Sequence, residues 1–286
     1  MRRFQESGAG AASFAYPAEM IVSALVEVPL AGGDVTDGVV RVGDTVRRPV
    51  RAHSPAVHAL LRHLEDVGFD GAPRFLGMDE RGREILSYVP GRTPPSPLPG
   101  YAVGDDALVG VARLLRRYHD AVAGFAAPEG TAFDTCSASN CDDAPELVGH
   151  CDLTPDNVVF RGGHPVAMID FDLARPTTRL FDVVTTLRHW APVADPIDRD
   201  PAHRTVSVGP RIARFCAAYG LDDDQRARLL PALRLRMERS YAAMRDRART
   251  LGGGWARMWS AGAGGRLIRA RDWLDLHWDT LDGHLH

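Results

Sequence analysis

The chain contains no lysine: all 34 basic side chains among its 286 residues are arginine. Every fixed cationic contact therefore falls to a planar guanidinium, which can hold carboxylate or phosphate oxygens two at a time. Cysteine is scarce as well. Cys136, Cys141, Cys151 and Cys216 show no Cys-x-x-Cys spacing, which argues against a zinc module and predicts free thiols in a reducing compartment. No apolar run reaches the ~20 residues a membrane-spanning helix needs, and the N-terminus lacks a signal-peptide pattern, so a cytoplasmic location away from membranes is expected. Arginines are interspersed with acids, leaving no basic footprint for nucleic acid. What remains is an ordinary globular composition, 45% hydrophobic and 25% charged with a net charge of −3. The length suits one large domain or two lobes, and nothing in it specifies an oligomeric state.

The informative stretch runs from His150 to Asp172. It reads His-Cys-Asp-Leu-Thr-Pro-Asp-Asn, then two short apolar runs around Gly162-Gly163, then Ile-Asp-Phe-Asp. Asp152 and Asn157 have the spacing in which an aspartate orients an attacking hydroxyl and an asparagine holds a metal. The apolar runs predict a β-hairpin, which would bring the loop 152–157 and Asp170 to the same end. One carboxylate to accept a proton and two oxygen donors to hold Mg²⁺ across nucleotide phosphates are what phosphoryl transfer requires. Asp-x-x-x-x-Asn alone is weak. With His150 upstream, a hairpin between and Asp170 closing it, the pattern is specific.

In these residues the chain resembles the aminoglycoside phosphotransferase and choline kinase-like family, whose loops read His-Gly-Asp-Leu-x-x-x-Asn and Ile-Asp-Phe. Leu114 to His119 looks like the helix before the catalytic loop, and Leu180-Phe181-Asp182 like the helix after the metal loop, whose aspartate braces the catalytic loop. The likeness covers about residues 25 to 190, strongly in the catalytic portion and loosely elsewhere. It implies an α+β, protein-kinase-like two-lobe fold with a small β-rich N-lobe and a larger, mainly helical C-lobe. The expected division is residues 1–91 for nucleotide, a proline-rich linker over 92–100, and 101–286 for catalysis and acceptor.

The implied roles are Asp152 as base, Asn157 and Asp170 as Mg²⁺ ligands, His150 as a brace, and Asp182 as a buried acceptor. Asp172 is either an outer contact to the metal or part of a turn, and Asp156 is expected to be solvated. The phosphoryl donor is ATP or GTP. Ser87, Tyr88 and Val89 fall at the hinge where backbone groups meet the base. Gly32 and Gly33, in the turn between Leu30 and Val39, are candidates for phosphate contact. The strand lysine of the family is expected to be replaced by Arg48 in preference to Arg47, because alternation puts Val46 and Arg48 on one face; the alternative is that both arginines lie on the surface and the grip is absent. Val57 stands where relatives carry the glutamate that pairs with that lysine, so the pair is expected to be missing. That loss supports the alternative of a catalytically impaired pseudokinase that binds nucleotide or a partner; the complete Asp/Asn/Asp set supports an active kinase.

Elsewhere, residues 1–20 read as a loose lead. Ser54-Pro55 predicts a helix start with Ser54 as cap, followed by the stripe Val57, Leu60, Leu61 and Leu64. Residues 105 to 122 form an amphipathic helix with Leu108, Val111, Leu115 and Tyr118 on one face. Leu230, Leu233, Met237, Tyr241 and Met244 mark a long helix, and Trp255, Trp259, Trp273 and Trp278 are expected in the core. Cys151 precedes the proposed base where relatives have glycine, as either a reactive or a buried thiol. From Arg175 onward, 19 arginines face 13 acids, against 15 and 24 before it. Most of the late arginines, Arg226, Arg228, Arg234, Arg236, Arg245 and Arg249 among them, are expected on solvated helix faces. The C-terminal half, which supplies the acceptor pocket in this family, is still net basic. The acceptor is therefore expected to be a neutral or anionic small-molecule hydroxyl compound, an antibiotic or a metabolite, and not a polycation.

Overall fold

The computed structural model describes residues 26–30, 38–134 and 143–286. The N-terminal lead, the turn carrying Gly32 and Gly33, and Cys136 and Cys141 lie outside the described residues. The β-prone runs form an antiparallel sheet of β1 (Val28–Pro29), β2 (Val40–Val42), β3 (Thr45–Pro49), β4 (Phe75–Met78) and β5 (Arg83–Ser87), in the order β1-β2-β3-β5-β4. Between β3 and β4 runs α1 (Ser54–Asp66), which buries Val57, Leu60, Leu61 and Leu64 against the core. Each such leucine contributes about 1.5–3 kcal/mol relative to exposure. The helix start differs from expectation by one residue. His53 occupies the cap position without a capping bond, and the Ser54 hydroxyl instead accepts from the Arg51 N–H at 2.9 Å, closing the turn that leads in.

After β5, α2 (Gly100–Val103) and α3 (Asp105–Ala121) open the helical part. Leu108, Val111, Leu115 and Tyr118 of α3 are wholly buried. Then come β6 (Leu147–Gly149), the hairpin β7 (Val158–Arg161) and β8 (His164–Met168), and β9 (Arg175–Thr177), which pairs antiparallel with β6. Thr178 caps α4 (Arg179–Trp190) through the Phe181 N–H, so Asp182 falls in the first turn, where a carboxylate suits the helix dipole. Helices α5 (Val208–Tyr219), α6 (Asp223–Ala227), α7 (Leu229–Thr250), α8 (Gly253–Ser260), α9 (Ala263–Leu276) and α10 (Trp278–Asp282) complete the chain.

Helix α3 packs on α5, and α7 packs on α4, α8 and α9. In α7, Leu230, Leu233 and Met237 are buried, whereas Tyr241 and Met244 are only half-buried as the helix outruns the core. The four late tryptophans are likewise half-buried, and only Trp273 and Trp278 pack on the main core. The wholly buried tryptophan is Trp190, at the end of α4. No helix among the described residues is long and apolar enough to cross a membrane.

Candidate active site

The hairpin brings the candidate residues together. Val158 pairs with Met168, and the Ile169 N–H donates to the Asn157 carbonyl at 2.9 Å, so Asn157 and Asp170 leave the same end of β7 and β8. Asn157 Nδ2 donates to the Asp152 carbonyl at 2.8 Å and to its carboxylate at 3.1 Å. That fixes the amide with its oxygen turned away from Asp152. Asp170 adopts φ +63°, a left-handed conformation that only the surrounding structure can enforce on a non-glycine residue. An amide oxygen and a carboxylate oxygen are hard donors. Two of them leave room for waters and phosphate oxygens, which fits Mg²⁺.

The frame beneath the loop is a set of buried hydrogen bonds. Asp182 is fully buried and accepts from the His150 N–H and the Cys151 N–H, both at 2.8 Å, while His119 Nε2 lies 3.0 Å away. Burial opposes its charge, but the His119 contact, the nearby histidines and the backbone donor outweigh burial and hold its pKa below the ordinary value. The His150 ring bonds the Ile169 carbonyl at 3.0 Å and packs on Phe171. Trp190 Nε1 donates to the Leu153 carbonyl at 2.8 Å, and Tyr118 Oη to that of Val148 at 2.9 Å. Asp152 itself is pushed up to about 7, by burial first and then by the charge of Asp170, against the pull of Arg236 and Arg175. Asp156 is exposed.

Arg48 and Arg47 point to opposite faces of β3. Arg48 is buried and reaches the loops after β8: Nη1 lies 3.2 Å from Asp170 and Nη2 contacts Asp172. Arg47 instead contacts Thr45 and lies 3.9 Å from Asp79. No acid of α1 reaches Arg48, as expected from Val57, but the sheet supplies a carboxylate in its place. Arg48 Nε lies 2.7 Å from Glu84, which sits directly opposite it in the β3–β5 register. Helix α1 supplies His58 rather than an acid, with Nε2 at 2.5 Å from Glu84. Burial works against the Arg48 charge, but Asp172, Asp170 and Glu84 overcome it and raise its pKa. Asp172 is thus an anchor for Arg48, with Arg51 and His53 also close to it. The chain thus has a buried cation–acid pair of its own, built between β3 and β5 and not between a strand and α1.

In the segment expected to be the hinge, the Ser87 N–H donates to the Arg74 carbonyl and the Tyr88 N–H to that of Asp44, each at 2.9 Å. The Tyr88 ring lies under the Arg41 guanidinium at 3.8 Å. Of the three hinge amides, Val89 is the one without a hydrogen bond among the described residues. Next to it, Gly91 has φ +146° and an added Cβ would lie 2.4 Å from the Val159 side chain. That close approach lets Arg92 and Phe160 exchange backbone hydrogen bonds at 3.1 and 2.8 Å.

Cys151 is buried, with φ +61° and a thiol that burial pushes up to about 12. It is an inert thiol. Treating the native protein with iodoacetamide is expected to leave Cys151 unmodified by mass spectrometry and activity unchanged; stoichiometric labelling of Cys151 without unfolding would contradict its burial.

Sequence reasoning missed three residues here. Glu84 could have been found as a carboxylate in the inward phase of β5, beside buried Leu86. Arg236, expected on a solvated face, is half-buried and its Nε donates to Thr185 of α4 at 2.8 Å. Arg188 lies near Asp152 as well, and no local signal in α4 announced it.

Comparison with known proteins agrees with this frame. The model of the phosphotransferase enzyme family matches residues 131–230. The chain is 36% identical over 209 residues to the trifolitoxin immunity protein of Rhizobium leguminosarum bv. trifolii, covering 70% of this chain and 76% of that one. A choline/ethanolamine kinase family protein from Mesorhizobium loti has the same fold, with a TM-score of 0.62 at 16% identity over 94% of each chain. The GDP complex of aminoglycoside 2'-phosphotransferase-IIIa gives a TM-score of 0.54 at 16% identity, over 93% of this chain and 94% of that one. The fold is the α+β, protein-kinase-like two-lobe architecture. The chain belongs to the aminoglycoside phosphotransferase and choline kinase-like family and is a small-molecule phosphotransferase.

Proposed function

We propose that the chain transfers the γ-phosphate of ATP or GTP to a hydroxyl of an antibiotic or metabolite, with Asp152 as base. The observation that carries this reading is the convergence of Asp152, Asn157 and Asp170 through the Asn157 amide and the Asn157–Ile169 backbone bond. Residues 1–91 form the nucleotide lobe and 101–286 the catalytic and acceptor lobe, joined at 92–100. Val89 offers its amide to the base, while Ser87 and Tyr88 shape the hinge. Gly32 and Gly33 remain candidates for phosphate contact, and Arg48 faces the phosphates from the cleft floor. Asn157 and Asp170 would hold Mg²⁺, which would supply positive charge to offset that of the nucleotide phosphates.

Asp152 orients the acceptor hydroxyl and takes its proton as the oxygen attacks the γ-phosphorus and the nucleoside diphosphate leaves. A pKa near 7 suits a base working near neutrality. The GDP-bound relative supports a nucleotide donor, and the relative named as a trifolitoxin immunity protein supports an acceptor that is an antimicrobial compound. The net positive charge from Arg175 onward supports a non-polycationic acceptor in a protein of the cytoplasm. The test is Mg²⁺-dependent phosphorylation of an acceptor panel with labelled ATP and GTP. Absence of both phosphorylation and Mg²⁺-dependent nucleotide binding, with ATP and with GTP, would overturn the proposal.

The two arginines of β3 are predicted to behave differently. Arg48→Ala removes a charged partner from the phosphates, an effect of about 1.5–3 kcal/mol, and is expected to raise the nucleotide Kd at least about tenfold. Arg47→Ala loses only a long contact to Asp79 and is expected to change Kd less than about threefold. Titrations belong well below the melting midpoint, because the first change strips buried Glu84 of a partner. Equal effects would mean the phosphates are held elsewhere.

A further inference from the structure

The catalytic-loop residue Pro155 borders a cleft of about 210 Å³ whose other walls carry Arg188, His189, Arg199 and His203. Its two acids are already engaged. Asp198 takes Nε and Nη2 of Arg269, both at 2.7 Å. Asp200 accepts from the Ala202 N–H at 2.9 Å and also holds the Leu98 N–H. Arg199 donates to the Ala194 carbonyl at 2.9 Å and lies over Trp273. The backbone carbonyl of Arg188 accepts from the Val193 N–H at 3.1 Å, but its guanidinium has no hydrogen bond or ion pair to any described residue. Nor does Nε2 of His203, whose ring is 2% exposed. A half-buried guanidinium and a buried ring nitrogen, both without partners in one cleft, are groups that a ligand can satisfy.

With Asp198 and Asp200 already engaged, positive charge on the Arg188 side of the cleft is in excess. Burial, together with Arg188 and Arg175, holds Arg236 down to about 9. Burial and Arg266 hold Arg188 down to about 10, and the carboxylate that both guanidiniums feel is Asp152. A base that must stay available to a hydroxyl cannot also serve as the standing counter-ion of several arginines. A cationic acceptor would meet repulsion here, whereas an anion would relieve it.

We propose that the acceptor carries an anionic group, a carboxylate or a phosphate, that docks on Arg188 in the cleft beside Pro155, with Arg236 reinforcing it from α7. The inference rests on Asp152 as the base, since it fixes the distance between the anionic end and the reacting hydroxyl. Arg188 offers the bidentate geometry that either oxyanion accepts, and His203 supplies a further hydrogen bond at the far wall. The acceptor is then a hydroxy acid or a phosphorylated alcohol.

The test uses the full chain with Mg²⁺ and a saturating non-hydrolysable nucleotide, which fills the site near Arg48. Calorimetric titration with glycolate and with inorganic phosphate is expected to show binding of at least one, and the stronger names the class. Arg188→Gln is expected to weaken that binding at least about tenfold, and Arg188→Lys by less because the charge stays. In turnover, matched alcohols bearing a carboxylate, a phosphate, no charge or an ammonium group should rank with an anionic member highest in kcat/KM, and Arg188→Gln should raise its KM more than it lowers kcat. Anion binding unchanged in Arg188→Gln, or a cationic aminoglycoside ranking highest, would overturn the inference while leaving the phosphotransferase reading in place. Loss of that reading shows separately as failure to bind nucleotide, and anion titration of the nucleotide-free chain still reports on Arg188. If Arg188→Gln does not fold, the kcat/KM ranking of the matched alcohols on the unaltered chain decides, an anionic member highest supporting the inference and a neutral or cationic member highest overturning it.

Discussion

Asp152→Asn is expected to cut phosphoryl transfer by about 10²–10⁴-fold, the range for loss of a general base, without unfolding the protein. The substitution keeps the shape of the side chain. It also keeps an oxygen to accept from Asn157 Nδ2, which lies 3.1 Å from the carboxylate. The carboxyl carries little structural load of its own. The loop is held instead by backbone bonds to Asp182 and by Trp190 on the Leu153 carbonyl. Asp170→Ala should act on a different step, weakening Mg²⁺-dependent nucleotide binding and releasing Arg48 from a contact at 3.2 Å. Steady-state rates and nucleotide titrations on both variants check the contrast. Near-normal turnover by Asp152→Asn, with an unchanged melting midpoint, would show that another group takes the proton.

What could be read from the sequence was local. The stripe in α1, the apolar face of α3 and the hairpin after Asn157 repeat at the periods of helix and strand, so each predicts its own burial. The loop residues were legible for the same reason: Asp152, Asn157 and Asp170 are joined by a hairpin whose strands are neighbours in sequence. The partner of Arg48 was not. Glu84 lies 36 residues further on and meets Arg48 only because β5 pairs with β3 in one register. His58 of α1 then meets Glu84 at 2.5 Å, and neither contact leaves a mark in the local pattern around Val57. The arginines of α4 and α7 were obscured differently. A helix arginine has the same sequence signature whether it meets water or a neighbouring helix, and only the packing of α7 on α4 turns Arg236 inward.

Asp182→Ala is expected to destabilise the fold by about 3–5 kcal/mol, the usual result of removing one member of a buried, charged network. That is a large part of the roughly 5–15 kcal/mol available to a folded domain. Alanine would leave the N–H groups of His150 and Cys151 buried without an acceptor and would strip His119 of its contact at 3.0 Å. The cost also reaches function, because those two N–H groups set the direction from which Asp152 enters the site. Urea midpoints of the two proteins measure the loss. Its pH dependence follows from the lowered pKa of the Asp182 carboxyl. A folded-state value below the unfolded one, about 3.9, means that the stabilisation is fully present above that pH. It is lost as pH falls through the folded value. The gap between wild type and Asp182→Ala should therefore stay constant from pH 8 to 5 and narrow only in stronger acid. A gap that already closes near pH 6 would show that the Asp182 carboxyl is not held below its ordinary pKa.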